Sequence, residues 1–178
     1  DIFEVYPIYE TPPIETRGDA ADDPAFWLNK EFPSIDLLDG DSNIWNVITH
    51  RGKWVIVFIY PRDFSPVCTL EARLFQKYLH EFMEFNVSLF GVSNDHQGRH
   101  KAFAENCNLT YPLLTDHLNK LQDVLQLPKL FGRIPARVTF LIDPAGIIRH
   151  IYSRQFSPKS HVKSTLSALR KAATSSSS

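Results

Sequence analysis

The sequence predicts an α/β layered fold, and three observations carry that expectation. Trp54-Val55-Ile56-Val57-Phe58-Ile59 is a continuous, largely β-branched apolar run, the pattern of a strand covered on both faces. Beyond it Cys68, Ala72, Phe75, Leu79 and Phe82 recur at spacings of four, three, four and three, the stripe of an amphipathic helix. Across residues 32–174 strand-like and helical patterns alternate, as they do in layered α/β domains.

Along the chain, residues 1–31 are rich in Pro, Asp and Glu and read as an irregular extension. The buried strand follows, and Pro61 ends it. Ser65 then stands where a helix N-cap belongs, with Pro66 at the first helical position. Cys68 therefore sits in the first helical turn, where unpaired backbone N–H groups and the positive end of the helix dipole favour a thiolate. Lys101–Cys107 reads as a further helix, ending on the second cysteine. Asp95 and Asp116 end strand-like segments and suit turn or cap roles. Ser175–Ser178 are expected to be disordered.

Composition narrows the class of protein. A chain of 178 residues with 43% apolar content and net charge −1 can bury a sizeable core as one soluble domain. That balance supplies no electrostatic drive toward nucleic acid or an anionic membrane. No apolar run approaches the roughly 18–20 residues of a membrane span. Two cysteines do not make a secreted disulfide scaffold.

A buried cysteine is ordinarily an inert small hydrophobe. The turn around Cys68 argues otherwise. Pro61, Ser65 and Cys68 form Pro-x-x-x-Ser-x-x-Cys, followed by Thr69, Glu71 and Ala72. This resembles the Pro-x-x-x-Thr/Ser-x-x-Cys signature of the peroxiredoxins, thiol peroxidases with a thioredoxin-like fold. The likeness runs on through Phe32–Gly40, Leu89–Ser93, Tyr111–Asp116 and Ile134–Asp143, with Arg137 at the position of the family's active-site arginine. Ile151–His161 looks most like the peroxiredoxin Q, or bacterioferritin comigratory protein, branch of plants, algae and cyanobacteria. The resemblance spans about residues 32–172 in the right order and implies a central mixed β-sheet flanked by helices.

What it implies for chemistry agrees with the residues. Cys68 would be the nucleophile that becomes a sulfenic acid. Arg137 would supply a permanent cation that favours the thiolate and orients the peroxide through its forked donors. By resemblance, the Ser65 hydroxyl and nearby backbone N–H groups would bind the peroxide, and Pro61 would shield the sulfur from water. The ordinary fate of an arginine is the surface, but the place of Arg137 before an apolar strand argues against that here. Arg133 is a weaker alternative.

Many members of the Q branch carry a resolving cysteine five positions after the first, and that position here is Arg73. Cys107 is the remaining candidate resolving cysteine. It either closes a disulfide with Cys68, with thioredoxin as reductant, or is a core residue of a one-cysteine enzyme served by an external thiol. The implied substrates are hydrogen peroxide and small organic hydroperoxides. No cofactor or metal is expected, since no flavin, haem or nucleotide motif appears. The resemblance also implies a monomer and points to a plastid, with the cytoplasm as alternative; a start at Asp1 fits loss of an upstream targeting segment.

Two rival functions stand beside this one. A thioredoxin-fold binding or chaperone module with a vestigial cysteine has no need of Pro61, Ser65, Cys68 and Arg137 together. A disulfide oxidoreductase would want Cys-x-x-Cys, and position 65 is Ser. Other constellations are weak. His96 and His100 are four apart but lack a third metal ligand, and are expected to be exposed or capping. Lys129, Lys159, Lys163 and Lys171 read as solvated charges. Gly18–Trp27 is similar to the opening motif of β-propeller phytases over a short stretch, but the remaining chain is too short for a propeller. Calcium needs six to eight oxygen ligands. Phe26 and Trp27 are expected at most to pin the extension to the domain surface.

Overall fold

The computed structural model describes residues 24–176. The expectations for residues 1–23, most of the phytase-like motif among them, and for Ser177 and Ser178 lie outside the described residues. A seven-stranded mixed sheet forms the centre, from β1 (Leu37–Leu38), β2 (Ile44–Trp45), β3 (Trp54–Ile59), β4 (Val87–Ser93), β5 (Leu113–Thr115), β8 (Val138–Ile142) and β9 (Ile148–Ser153). The strand order is β2-β1-β5-β4-β3-β8-β9, with β3–β4 and β4–β5 parallel and the other pairs antiparallel. Two short strands, β6 (Lys129–Leu130) and β7 (Ile134–Pro135), make a separate hairpin.

The helices are α1 (Pro66–Lys77), α2 (Leu79–Met83), α3 (Gln97–Cys107), α4 (Lys120–Val124) and α5 (Pro158–Ser175). The apolar stripe anticipated from Cys68 to Phe82 is thus split between two helices at Tyr78. Its anchors still face inward: Cys68, Ala72, Phe75 and Phe82 are buried. Helix α5 runs to Ser175, the first residue of the expected tail.

The alternation of β3 explains its continuous apolar run. Val55, Val57 and Ile59 face one core with Phe90, Val92, Leu114, Val138 and Phe140. Ile56 and Phe58 face the other with Ala72, Phe75, Phe103, Val162 and Leu166 from α1, α3 and α5. A strand covered on both faces has no polar side to show. Phe58 stacks on Phe75 at 4.4 Å, which anchors α1 to the strand that precedes it. Gly91 in β4 is required by this packing, because a Cβ there would lie 2.7 Å from both Phe58 and Leu113.

Part of the expected extension is laid against the sheet. Pro24–Trp27 form a short 3-10 turn, and Glu31 pairs with Ile147. Trp27 donates its indole N–H to the Leu125 carbonyl at 2.9 Å and packs on the first core, while Phe26 is 45% exposed. Trp27 is the pin.

Candidate active site

The site forms where β3 hands over to α1. The chain leaves β3 at Ile59, passes Tyr60 and Pro61, and turns at Phe64 in the left-handed region with φ of 64°. A bulky residue is strained there. Phe64 is held by an edge contact to Phe103 and by the Arg99 guanidinium over its ring, each at 5.1 Å. Ser65 then caps α1 as expected, its hydroxyl accepting from the Cys68 backbone N–H at 3.4 Å. Cys68 is 1% exposed, in the first turn.

Arg137 reaches this sulfur from the head of β8, the strand paired beside β3. It lies between β7 and β8, is 3% exposed, and donates from Nη2 to Cys68 Sγ at 3.2 Å. Its Nη1 donates to Glu71 Oε2, and its Nε to the Gln155 carbonyl at 2.8 Å. Burial opposes charge on the guanidinium, but Glu71 and Cys68 outweigh it and hold its pKa above the ordinary arginine value. Arg133 is exposed on the hairpin turn between β6 and β7. Geometry therefore brings Arg137, and not Arg133, to the sulfur.

Behind Arg137 lies a polar cluster that sequence reasoning missed. Glu71 is fully buried, one helical turn beyond Cys68, and burial pushes its carboxyl up to about 7 against the pull of Arg137. Its Oε1 is 3.7 Å from His161 Nδ1. His161 bonds through Nε2 to the Arg154 carbonyl at 2.7 Å and through Nδ1 to the Thr139 hydroxyl at 2.8 Å. A carbonyl only accepts, so the ring proton is on Nε2 and Thr139 donates to Nδ1. Burial drives the His161 pKa down to about 3, so the ring is neutral. The one available signal was a glutamate on the apolar stripe of a helix.

A second buried network fixes the Pro61–Phe64 loop. Tyr60 donates to Asp63 Oδ1 at 2.6 Å, and Asp63 Oδ2 lies 2.7 Å from His100 Nδ1. His100 Nε2 bonds to the Leu114 carbonyl at 3.1 Å. His100 is thus a buried partner of the active-site loop, 1% exposed, and not the exposed or capping residue anticipated. The reason is tertiary: one turn into α3, its ring points under β5 and meets Asp63, which lies far away in sequence. His96 does cap α3, accepting from the Arg99 N–H. Asp95 accepts from the Asp63 N–H at 2.8 Å, and Asp116 accepts from Leu121 and Gln122 at the start of α4.

Cys107 ends α3, is 6% exposed, and belongs to the same apolar cluster as Cys68; both thiols are free. Burial pushes its thiol up while Arg73, which bonds to it, pulls the other way. Lys129, Lys159, Lys163 and Lys171 are exposed. Among the described residues no cluster of three or more metal-binding side chains occurs, and no helix is long and apolar enough to cross a membrane.

A thioredoxin-like α/β sheet with a helix-N-terminal thiol held by a buried arginine defines the class: a thioredoxin-like domain with a cation-paired cysteine. Comparison with known proteins narrows it. The chain belongs to the AhpC/TSA family, whose model matches residues 28–151. It is 36% identical over 139 residues to the chloroplastic peroxiredoxin Q of Populus jackii, covering 78% of this chain and 65% of that one. The chloroplastic peroxiredoxin Q of Arabidopsis thaliana is 35% identical over 141 residues, covering 79% and 65%. The chain thus spans about 65% of the length of these curated relatives. Among solved structures, the Xanthomonas campestris bacterioferritin comigratory protein, studied for alkyl peroxide reduction, matches with TM-score 0.72 and 26% identity over 78% of this chain and 92% of that one. The peroxidoxin BcpB of Mycobacterium tuberculosis matches with TM-score 0.74 and 28% identity, covering 81% and 96%.

Proposed function

We propose that this chain is a thiol peroxidase that reduces hydrogen peroxide and small organic hydroperoxides at Cys68. The observation that carries this reading is the Arg137 Nη2 donor 3.2 Å from a buried Cys68 Sγ at a helix N-terminus. A cation and oriented N–H groups favour the thiolate and stabilise charge on the departing oxygen. The thiolate attacks one peroxide oxygen, the S–O bond forms as the O–O bond breaks, and the alkoxide or hydroxide takes up a proton. Cys68 is left as a sulfenic acid. Ser65 and the N–H groups of the first turn hold the peroxide, and Pro61 keeps water from the sulfur.

Cys107 resolves the sulfenic acid in this reading. Its place in the same apolar cluster and its contact with Arg73 support the role. Its sulfur attacks the Cys68 sulfur, water leaves, and a dithiol such as thioredoxin reduces the disulfide. A disulfide requires Cα atoms roughly 4.4–6.8 Å apart, so the N-terminal turn of α1 and the last turn of α3 fray to let the sulfurs meet. The working unit is the domain of residues 32–174, acting as a monomer. The chloroplastic relatives favour a plastid.

Intact-mass spectrometry after one equivalent of hydrogen peroxide, with peptide mapping, tests this. Loss of two hydrogens with a Cys68–Cys107 crosslink is expected. One added oxygen on Cys68 with Cys107 untouched would make it a one-cysteine peroxidase. No rapid change would refute peroxidase activity and favour a binding module.

A further inference from the structure

Glu71 and Cys68 share one cation. Arg137 gives Nη2 to the sulfur and Nη1 to Glu71 Oε2, and all three side chains are buried. If both partners were anionic, the pocket would hold two negative charges against one positive. The other carboxyl oxygen, Oε1, has no hydrogen-bond partner among the described residues. What it faces is the Nδ1 of His161, 3.7 Å away, which is not a donor because its lone pair accepts from the Thr139 hydroxyl. A carboxylate oxygen there has no donor to offset its charge, so burial favours the protonated carboxyl.

We propose that Glu71 is the ionisation partner of Cys68: through their shared guanidinium the thiol gives up its proton as the carboxyl gains one on Oε1, beside His161. The proposal rests on Cys68 being the attacking thiol and assigns the residue that regulates its charge. In balance, one proton leaves sulfur and one is bound by the carboxyl, so the pocket's net charge is unchanged. When Cys68 becomes a neutral sulfenic acid, Arg137 returns to Glu71, which releases its proton. Such coupled groups titrate as a pair and not as separate residues.

Every titratable group facing Glu71 fits this account. Cys68 approaches from the first turn of α1 and Arg137 from the segment just before β8. His161, from α5, is neutral because burial drives its pKa to about 3. Tyr111 is buried and its phenol is pushed well above its ordinary range, first by burial and then by Glu71. The raised ionisation of Glu71, to about 7, lies where coupling to a thiol has an effect near neutral pH. Glu71 does not touch the peroxide in this scheme; it is a positioning residue that acts through Arg137.

The test titrates the Cys68 thiolate by its ultraviolet absorbance in a Cys107→Ser protein, with and without Glu71→Gln. Removing a like charge is expected to shift the thiolate midpoint down by about one pH unit, and to speed peroxide oxidation roughly tenfold below that midpoint. An unmoved or raised midpoint would overturn the proposal and leave Glu71 as a mere brace for Arg137. Infrared spectra guard against a misfolded variant. With Glu71 intact, the protonated-carboxyl band should weaken when Cys68→Ser removes the thiolate, and a band of equal strength would overturn the proposal. Failure of Cys68 to form a sulfenic acid with peroxide would instead sink the peroxidase reading and leave the titration result standing.

Discussion

Replacing Arg137 with methionine keeps most of the side-chain volume and removes the guanidinium. Three contacts go with it: Nη2 to Cys68 Sγ at 3.2 Å, Nη1 to Glu71, and Nε to the Gln155 carbonyl at 2.8 Å. A cation this close to the sulfur favours its anion over the neutral thiol. The donor that orients the peroxide and meets the developing charge adds a factor of about 10²–10³ in rate. Rapid-quench kinetics of Cys68 oxidation at neutral pH should therefore slow at least about a hundredfold, with the thiolate forming at higher pH. Arg137→Lys should restore part of the thiolate but little of the rate, since an ammonium keeps the charge and loses the fork. Stability supplies an internal check. Stripping a buried ion of its partner costs about 3–5 kcal/mol, but Glu71, whose carboxyl is already pushed to about 7, can take up a proton instead. The methionine variant should thus lose less stability at pH 6 than at pH 8, about the pH values flanking that ionisation. A rate within about threefold of the parent would refute the assigned role, since loss of the donor alone predicts about a hundredfold.

Ser65→Ala removes the α1 N-cap and should cost about 0.5–2 kcal/mol in denaturant unfolding, together with a lower rate of Cys68 oxidation. Loss of stability at unchanged rate would confine Ser65 to capping. His100→Leu should destabilise the fold by about 3–5 kcal/mol by stranding Asp63, and pairing it with Asp63→Asn should recover part of that loss, measured by the same unfolding curves. Between about pH 4.5 and 6.5 the buried neutral His161 and His150, with pKa values lowered to about 3 and about 4, favour folding more as pH rises, while Glu71, raised to about 7, opposes them. The net is one proton bound on unfolding, about 1.4 kcal/mol per pH unit of rising stability, and His161→Gln should flatten it.

What the sequence determined by itself is local. The strand Trp54–Ile59, the Ser65 cap, Pro66 at the first helical position and Cys68 one turn in are all set by residues within a few positions of one another. Backbone propensity, capping chemistry and hydrophobic period act over that range, so they can be read directly. Arg137 was reached only through family resemblance, because nothing local marks an arginine for a sulfur 69 residues away. The tertiary structure decided the rest. Glu71 looked like one polar residue on a helix until Arg137 closed over it, and His161 joined it from α5, beyond the last strand. His100 looked like half of an idle histidine pair until β5 and the Pro61–Phe64 loop enclosed it against Asp63. These are buried polar groups, whose charge and partners depend on what the fold removes from water and places nearby, and that information exists only once the distant segments have met.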